Sequence, residues 1–150
     1  MRSKETVEFT NMCMVYDGDK VLVQDRMKGS WTGIAFPGGH VEQGEPFTDA
    51  VIREVYEETG LQIASPQLCG IKDRLNADGS RYVVLFYRTN QFSGELHSSK
   101  EGEVFWTDRE KLPQMPLARD MDGMLKVFCD DSLSEFYYYQ ENGEWKYILK

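Results

Sequence analysis

Three glutamates, Glu54, Glu57 and Glu58, stand at i, i+3 and i+4 in this chain. On an α-helix, at about 100° per residue, they share one face. Phe47, Ala50 and Val51 fall one or two turns earlier on that face. The only base between residues 47 and 59 is Arg53, which the wheel turns away from the three acids. Stacked carboxylates beside an apolar stripe repel one another and resist desolvation. A hard divalent cation held by oxygen ligands is the natural compensation, and magnesium in turn shares its shell with substrate phosphates. Taken alone, the three glutamates also fit a solvated acidic face on an ordinary amphipathic helix.

The sequence marks the element that must hold them. Pro37-Gly38-Gly39 is a breaker cluster, and a polar loop follows it. Pro46 suits the first position of a helix, where a missing N–H costs nothing. Phe47 to Thr59 is predicted as the helix, with Gly60 as a left-handed C-cap.

The whole constellation is more specific than its acids. Gly39 is followed after five residues by Glu45, and after seven more by Arg53-Glu54, Val55, Tyr56, Glu57-Glu58, Thr59, Gly60 and Leu61. Residues 39–61 resemble the Nudix box at every defining position. The resemblance implies an α+β fold, an α/β/α sandwich with a mixed sheet between helices. It also implies metal-dependent hydrolysis of a pyrophosphate bond in a nucleotide derivative, with Mg²⁺, or Mn²⁺ in its place.

Composition sets the frame. The 150 residues are one domain's worth, with the apolar and charged shares of a soluble globular protein. The net charge of −8 argues against a nucleic-acid polymer as partner. Residues 39–61 carry six acids against one base, so a phosphate-bearing substrate needs cations to approach. Cys13, Cys69 and Cys129 have no paired spacing and read as buried, inert thiols rather than a disulfide framework or zinc site. The start lacks an apolar core segment and no run is long enough to span a membrane. A cytoplasmic protein with a small-molecule substrate, monomeric or homodimeric, is the expectation.

The rest of the chain reads as strands around that box. Thr6–Tyr16 and Lys20–Gln24 form a hairpin about Asp17-Gly18-Asp19, and Trp31–Phe36 feeds the box. Gln67–Arg74, Arg81–Thr89 and Glu103–Thr107 follow, the second apolar enough to be buried on both faces. Residues 92–95 read as a polar loop, 111–116 as a connection, and 120–128 as a helix with Met121, Met124, Leu125 and Phe128 on its core side. Glu135 to Leu149 is a hairpin about Asn142-Gly143, its aromatics packed across strands. The whole, residues 1–150, is taken as a single domain.

By resemblance, Glu57 and Glu58 are metal ligands, and Glu54 ligates metal or takes the proton of the attacking water. The Gly38 carbonyl is a further ligand, and Glu101 or Glu103 supplies one more carboxylate. Arg53 pairs with a carboxylate such as Glu45 and holds the loop on the helix. Gly38 and Gly39 also border the substrate. His40 touches a phosphate or faces water, and His97 has no role. Asn11 interrupts an apolar strand: inward, its amide suits a purine edge; outward, it is a plain strand residue. Trp31 is a pocket wall or a core aromatic. Asp120 contacts the purine or caps the following helix. The stretch from Trp31 to Glu45 resembles the mutator-type members that cleave oxidised purine triphosphates such as 8-oxo-dGTP to the monophosphate and pyrophosphate. ADP-ribose hydrolysis and a non-catalytic nucleotide sensor are the alternatives.

Overall fold

The computed structural model describes residues 2–150. Its elements run β1 Val7–Asp17, β2 Lys20–Arg26, β3 Gly33–Ala35, α1 Phe47–Thr59, β4 Leu61–Ala64, β5 Gln67–Leu75, β6 Arg81–Thr89, β7 Gln91–Gly94 and β8 Gly102–Asp108. A 3-10 helix, Arg109–Gln114, then leads to α2 Met121–Cys129, β9 Glu135–Glu141 and β10 Glu144–Leu149. The main sheet has the order β10-β9-β5-β6-β1-β2-β3, with β8 also paired to β2. It is mixed: β1 runs parallel to β6 and β5 parallel to β9, the rest antiparallel.

The helices cover opposite faces. On β6, Val83, Leu85 and Tyr87 pack with Val51 and Val55 of α1. Val84 and Phe86, which point the other way, pack with Met124, Val127 and Phe128 of α2. Successive strand side chains alternate between faces, so a strand between two helices must be apolar throughout. The α/β/α sandwich expected from the resemblance is the architecture found. No helix among the described residues is long and apolar enough to cross a membrane.

Several local expectations are corrected. Residues 92–95 are not a loop: most of them lie in β7, which pairs with β4 in a separate two-stranded sheet. Short strands of this kind carry too few residues for a period to show. The stretch 111–116 lies largely in the 3-10 helix, and only Gly33–Ala35 of the expected 31–36 strand pairs in the sheet. Phe47 is largely exposed and packs on Phe9 at 4.7 Å, so the apolar stripe of α1 begins at Ala50. Cys13 is buried as expected, but Cys69 is half-buried and Cys129 exposed at the end of α2. Burial pushes the Cys13 and Cys69 thiols up, and partial desolvation raises that of Cys129, away from the reactive thiolate.

The C-terminal hairpin turns at Asn142 and Gly143, both at positive φ. Across it Phe136 stacks on Tyr147 at 4.4 Å and Tyr138 on Trp145 at 4.7 Å. Its root is a carboxyl pair. Arg81 Nη1 donates to Asp73 Oδ2 at 2.8 Å, while Asp73 Oδ1 is buried without a partner. A protonated Glu135 carboxyl can supply Asp73 with a donor. Its hydrogen bond to Asp73, then burial and the Asp73 charge, push its pKa up to about 7; Lys150 and Arg81 oppose. A carboxyl raised above its unfolded value, about 4.3, stabilises the fold below that value and loses the effect as pH rises through about 7. In thermal unfolding, wild type is therefore expected to lose ground to Glu135→Gln between about pH 5 and pH 8. A constant Tm difference over that range would remove the shared proton.

Candidate active site

The site is built on the edge of β1. One edge of β1 pairs with β6; the other is shared between the segment 37–41 and, at its end, β2. Asn11 N donates to Gly39 O at 2.8 Å, Cys13 N to Pro37 O at 2.8 Å, and Val41 N to Phe9 O at 3.0 Å. The segment lies flush because Gly38 and Gly39 carry no side chain. A Cβ on Gly38 would enter the Asn11 backbone carbonyl, and one on Gly39 would enter the Glu54 carboxylate. Gly38→Ala is thus expected to cost about 1–3 kcal/mol in thermal denaturation, through forced displacement of backbone. Activity should fall with it, because the same residue holds Glu58.

Gly38 N donates to Glu58 Oε2 at 3.1 Å. Glu58 is buried, and that burial pushes its pKa up to about 7 against the Gly38 N–H and the Arg26 charge. Burial also raises Glu54, with Arg53 opposing. Glu57, in the last turn of the helix, is exposed. Gly60, at φ 81°, closes α1 as predicted, its N–H bonded to Tyr56 O.

Arg53 is where the helical wheel misled. Its guanidinium does not point away from the acids. Nε and Nη2 grip Glu45 at 2.8 and 3.0 Å, and Nη2 also donates to His40 O at 2.9 Å. Nη1 reaches Glu54 Oε1 at 3.0 Å and Glu57 Oε2 at 3.2 Å. A wheel assigns Cβ directions, whereas a side chain this long folds back along the helix. The Arg53–Glu45 pairing read from the sequence is present, and it holds the Glu45 carboxyl well below the usual range.

These groups form one end of an open cleft of about 870 Å³. Glu54, Glu57, Glu58 and Glu101 line the acidic end. Glu103 is not part of the lining and sits exposed on β8 opposite Asp25. The far end is basic and aromatic: Trp31, Lys72, Arg74, Tyr82, Arg119 and Tyr138. Trp31 is held in that wall by Nε1 donating to Arg119 O at 2.9 Å.

The family model described as NUDIX domain matches residues 10–128. The chain belongs to the Nudix hydrolase family, the pyrophosphohydrolases. It is 34% identical over 115 residues to an ADP-ribose pyrophosphatase of Methanocaldococcus jannaschii, covering 73% of this chain and 66% of that protein. It is 30% identical over 126 residues to the human 8-oxo-dGDP phosphatase NUDT18, covering 74% of this chain and 37% of that one. The chain thus spans about two thirds and about a third of these relatives. Among solved structures, a mutator MutT protein from Bacillus halodurans superposes with TM-score 0.77 at 28% identity, over 95% of this chain and 97% of that one.

The Nudix box residues fit a hard cation by their donor chemistry. Carboxylates and a backbone carbonyl are oxygen ligands, and Glu58 is buried with a proton affinity that a nearby positive charge would lower. They do not yet form a cage: among the described residues no three His, Cys, Asp or Glu side chains converge on one point. The positive charge between Glu54 and Glu57 is that of Arg53.

The remaining residues singled out in the sequence fall as follows. Asn11 is buried, not outward: Oδ1 accepts from Gly39 N at 3.1 Å, and Nδ2 is left without a partner beside the cleft. Asp120 holds the N-cap position of α2, where its backbone carbonyl accepts from Met124 N at 3.1 Å, but its side chain does not cap the helix. It adopts φ 66° with no side-chain cap bond, and its charge instead acts on Lys72 and Tyr138. His40 lines the cleft but is exposed, its Nε2 3.5 Å from Glu8 Oε1. Sequence reasoning missed Arg26, Lys72, Arg74, Tyr82, Arg119 and Tyr138. A signal existed for two of them, since Lys72 and Arg74 put two cations on one face of β5, where a core strand would carry apolar residues.

Proposed function

We propose that this Nudix hydrolase cleaves the pyrophosphate bond of an oxidised purine nucleoside triphosphate such as 8-oxo-dGTP, releasing the monophosphate and pyrophosphate. The observation that carries the reading is the polarity of the cleft: carboxylates at one end, aromatic rings and hydrogen-bond donors at the other. A triphosphate lies toward the first and a base toward the second. The likeness to the MutT structure supports it.

Glu57, Glu58 and the Gly38 carbonyl would hold a divalent cation, with Glu101 as an added carboxylate. When bound, Mg²⁺, or Mn²⁺ in its place, neutralises charge on the phosphate oxygens and on the leaving group. Glu54 is the group that orients water and accepts its proton, or a further ligand; its raised proton affinity suits the first role. Water oxygen bonds to phosphorus as the bridging P–O bond breaks and pyrophosphate leaves. Arg53 acts through others: it fixes Glu54 and Glu57 and ties the loop at His40 and Glu45 to the helix. The free Asn11 Nδ2 offers a donor to the bound nucleotide.

A second reading, ADP-ribose hydrolysis, is favoured by the archaeal relative. The test is kcat/KM with Mg²⁺ for 8-oxo-dGTP, dGTP, ADP-ribose, NADH and dinucleoside polyphosphates. Highest kcat/KM on 8-oxo-dGTP is expected. A strong bias to ADP-ribose overturns the substrate and spares the reaction; binding without any product release overturns the reaction and leaves a sensor.

A further inference from the structure

One row of residues crosses the sheet beneath the cleft. His40 bridges to Thr10, Thr10 is opposite Val84, Val84 opposite Lys72, and Lys72 opposite Phe136. Neighbouring strands lie about 4.8 Å apart, so Lys72 is roughly 14 Å from the glycine loop at the acidic end. The Lys72 end and the acidic end are thus three strand spacings apart along the sheet.

Lys72 is an unusual residue to find there. Its Nζ lies 5.1 Å from the ring centroid of Tyr138, 5.5 Å from Phe136 and 5.9 Å from Trp31. None of the ion pairs among the described residues involves it. The rings hold the ammonium by their negative faces, and Asp120, whose charge acts on it, forms no ion pair with it. Burial lowers its pKa to about 8, with Asp120 opposing, so it is still charged at neutral pH. Arg74 and Arg119 stand in the same wall. Lysine and arginine are donors only.

From this we propose that Lys72 reads the base, donating from its ammonium to the O6 carbonyl of an oxopurine and so selecting guanine-type bases over adenine. The proposal rests on the nucleotide-hydrolase reading above and names the residue that sets its base preference. Guanine offers O6 and N7 as acceptors along one edge; adenine puts an amino donor where O6 would be. In 8-oxoguanine N7 carries a proton, and O6 and O8 remain acceptors. Against adenine two donors would face each other in a half-buried site, with neither satisfied. Lys72 sits too far from the cleaved bond to act on it, so its effect belongs in binding.

The test is Lys72→Met, which keeps the aliphatic stem and removes the donor, read in two ways. For turnover, kcat/KM is compared for 8-oxo-dGTP, dGTP, dITP and dATP. The variant should lose about tenfold to a hundredfold on the first three, through KM, and nothing on dATP. In wild type, dITP, which keeps O6 and lacks the 2-amino group, should be used like dGTP. For binding, calorimetry with dGMP, dIMP and dAMP should show the same collapse of preference. Lys72→Gln, which restores a neutral donor, should recover part of it and serves if the methionine variant does not fold. An unchanged ratio of oxopurine to adenine nucleotide in either variant overturns the proposal, as does a wild-type preference for adenine. Absence of turnover with an intact binding preference counts against the hydrolase reading alone, so the two failures are distinguishable.

Discussion

Glu58→Gln is expected to reduce turnover at least about a hundredfold while the protein stays folded. Glu58 is the one box carboxylate that is buried, and among the described residues its hydrogen-bond partner is the Gly38 N–H at 3.1 Å. Glutamine keeps the shape and can still accept that bond through its carbonyl oxygen. What it loses is the charge that a bound cation needs. Because burial already disfavours that charge, removing it should leave the Tm in the absence of cation unchanged or higher. A cation that binds the native state raises its Tm by mass action, so Mn²⁺ should raise the Tm of wild type and not of the variant. Near-normal turnover, or an undiminished Mn²⁺ shift, would remove Glu58 from the metal site. The thermal readout separates loss of the ligand from loss of the fold.

The second large effect is expected at a residue that touches no substrate. Arg53→Lys should lower kcat about tenfold to a hundredfold, with KM changed less. The guanidinium makes five bonds at once, to both oxygens of Glu45, to the His40 carbonyl, to Glu54 and to Glu57. A lysine ammonium keeps the charge but has no planar fork, so it cannot reproduce the bidentate grip and the three other contacts together. Glu54 and Glu57 would then sample other rotamers, and the loop bearing Gly38 and Gly39 would lose its tie to α1. Tm should fall as well. An activity loss with an unchanged pH profile fits positioning; a shifted acid limb would instead implicate Arg53 in setting the Glu54 proton affinity. Full activity in the lysine variant would show that charge alone suffices and that the clamp is dispensable.

Much of this protein is legible in its sequence. The helix Phe47–Thr59 was read with its true ends, because Pro46 and Gly60 are local signals acting within one turn. The spacing of Glu54, Glu57 and Glu58, with Gly39, Glu45 and Arg53, gave the family, since that motif is contiguous. β6 and the turn at Asn142-Gly143 were equally local. Where Arg53 ends is not legible, because several rotatable bonds separate its backbone from its charge. Asn11 and Asp120 were undecided for a related reason: strand face and cap geometry depend on what packs alongside.

The acidic end of the cleft is legible in the sequence because all of its carboxylates but Glu101 lie on one helix, whose period fixes their mutual spacing. The basic, aromatic end of the cleft is not legible in this way. Trp31, Lys72, Arg119 and Tyr138 come from distant segments, and they meet because β5 lies between β6 and β9 in the sheet. Strand register and sheet order are set by the burial of the whole core, which no local window of sequence contains.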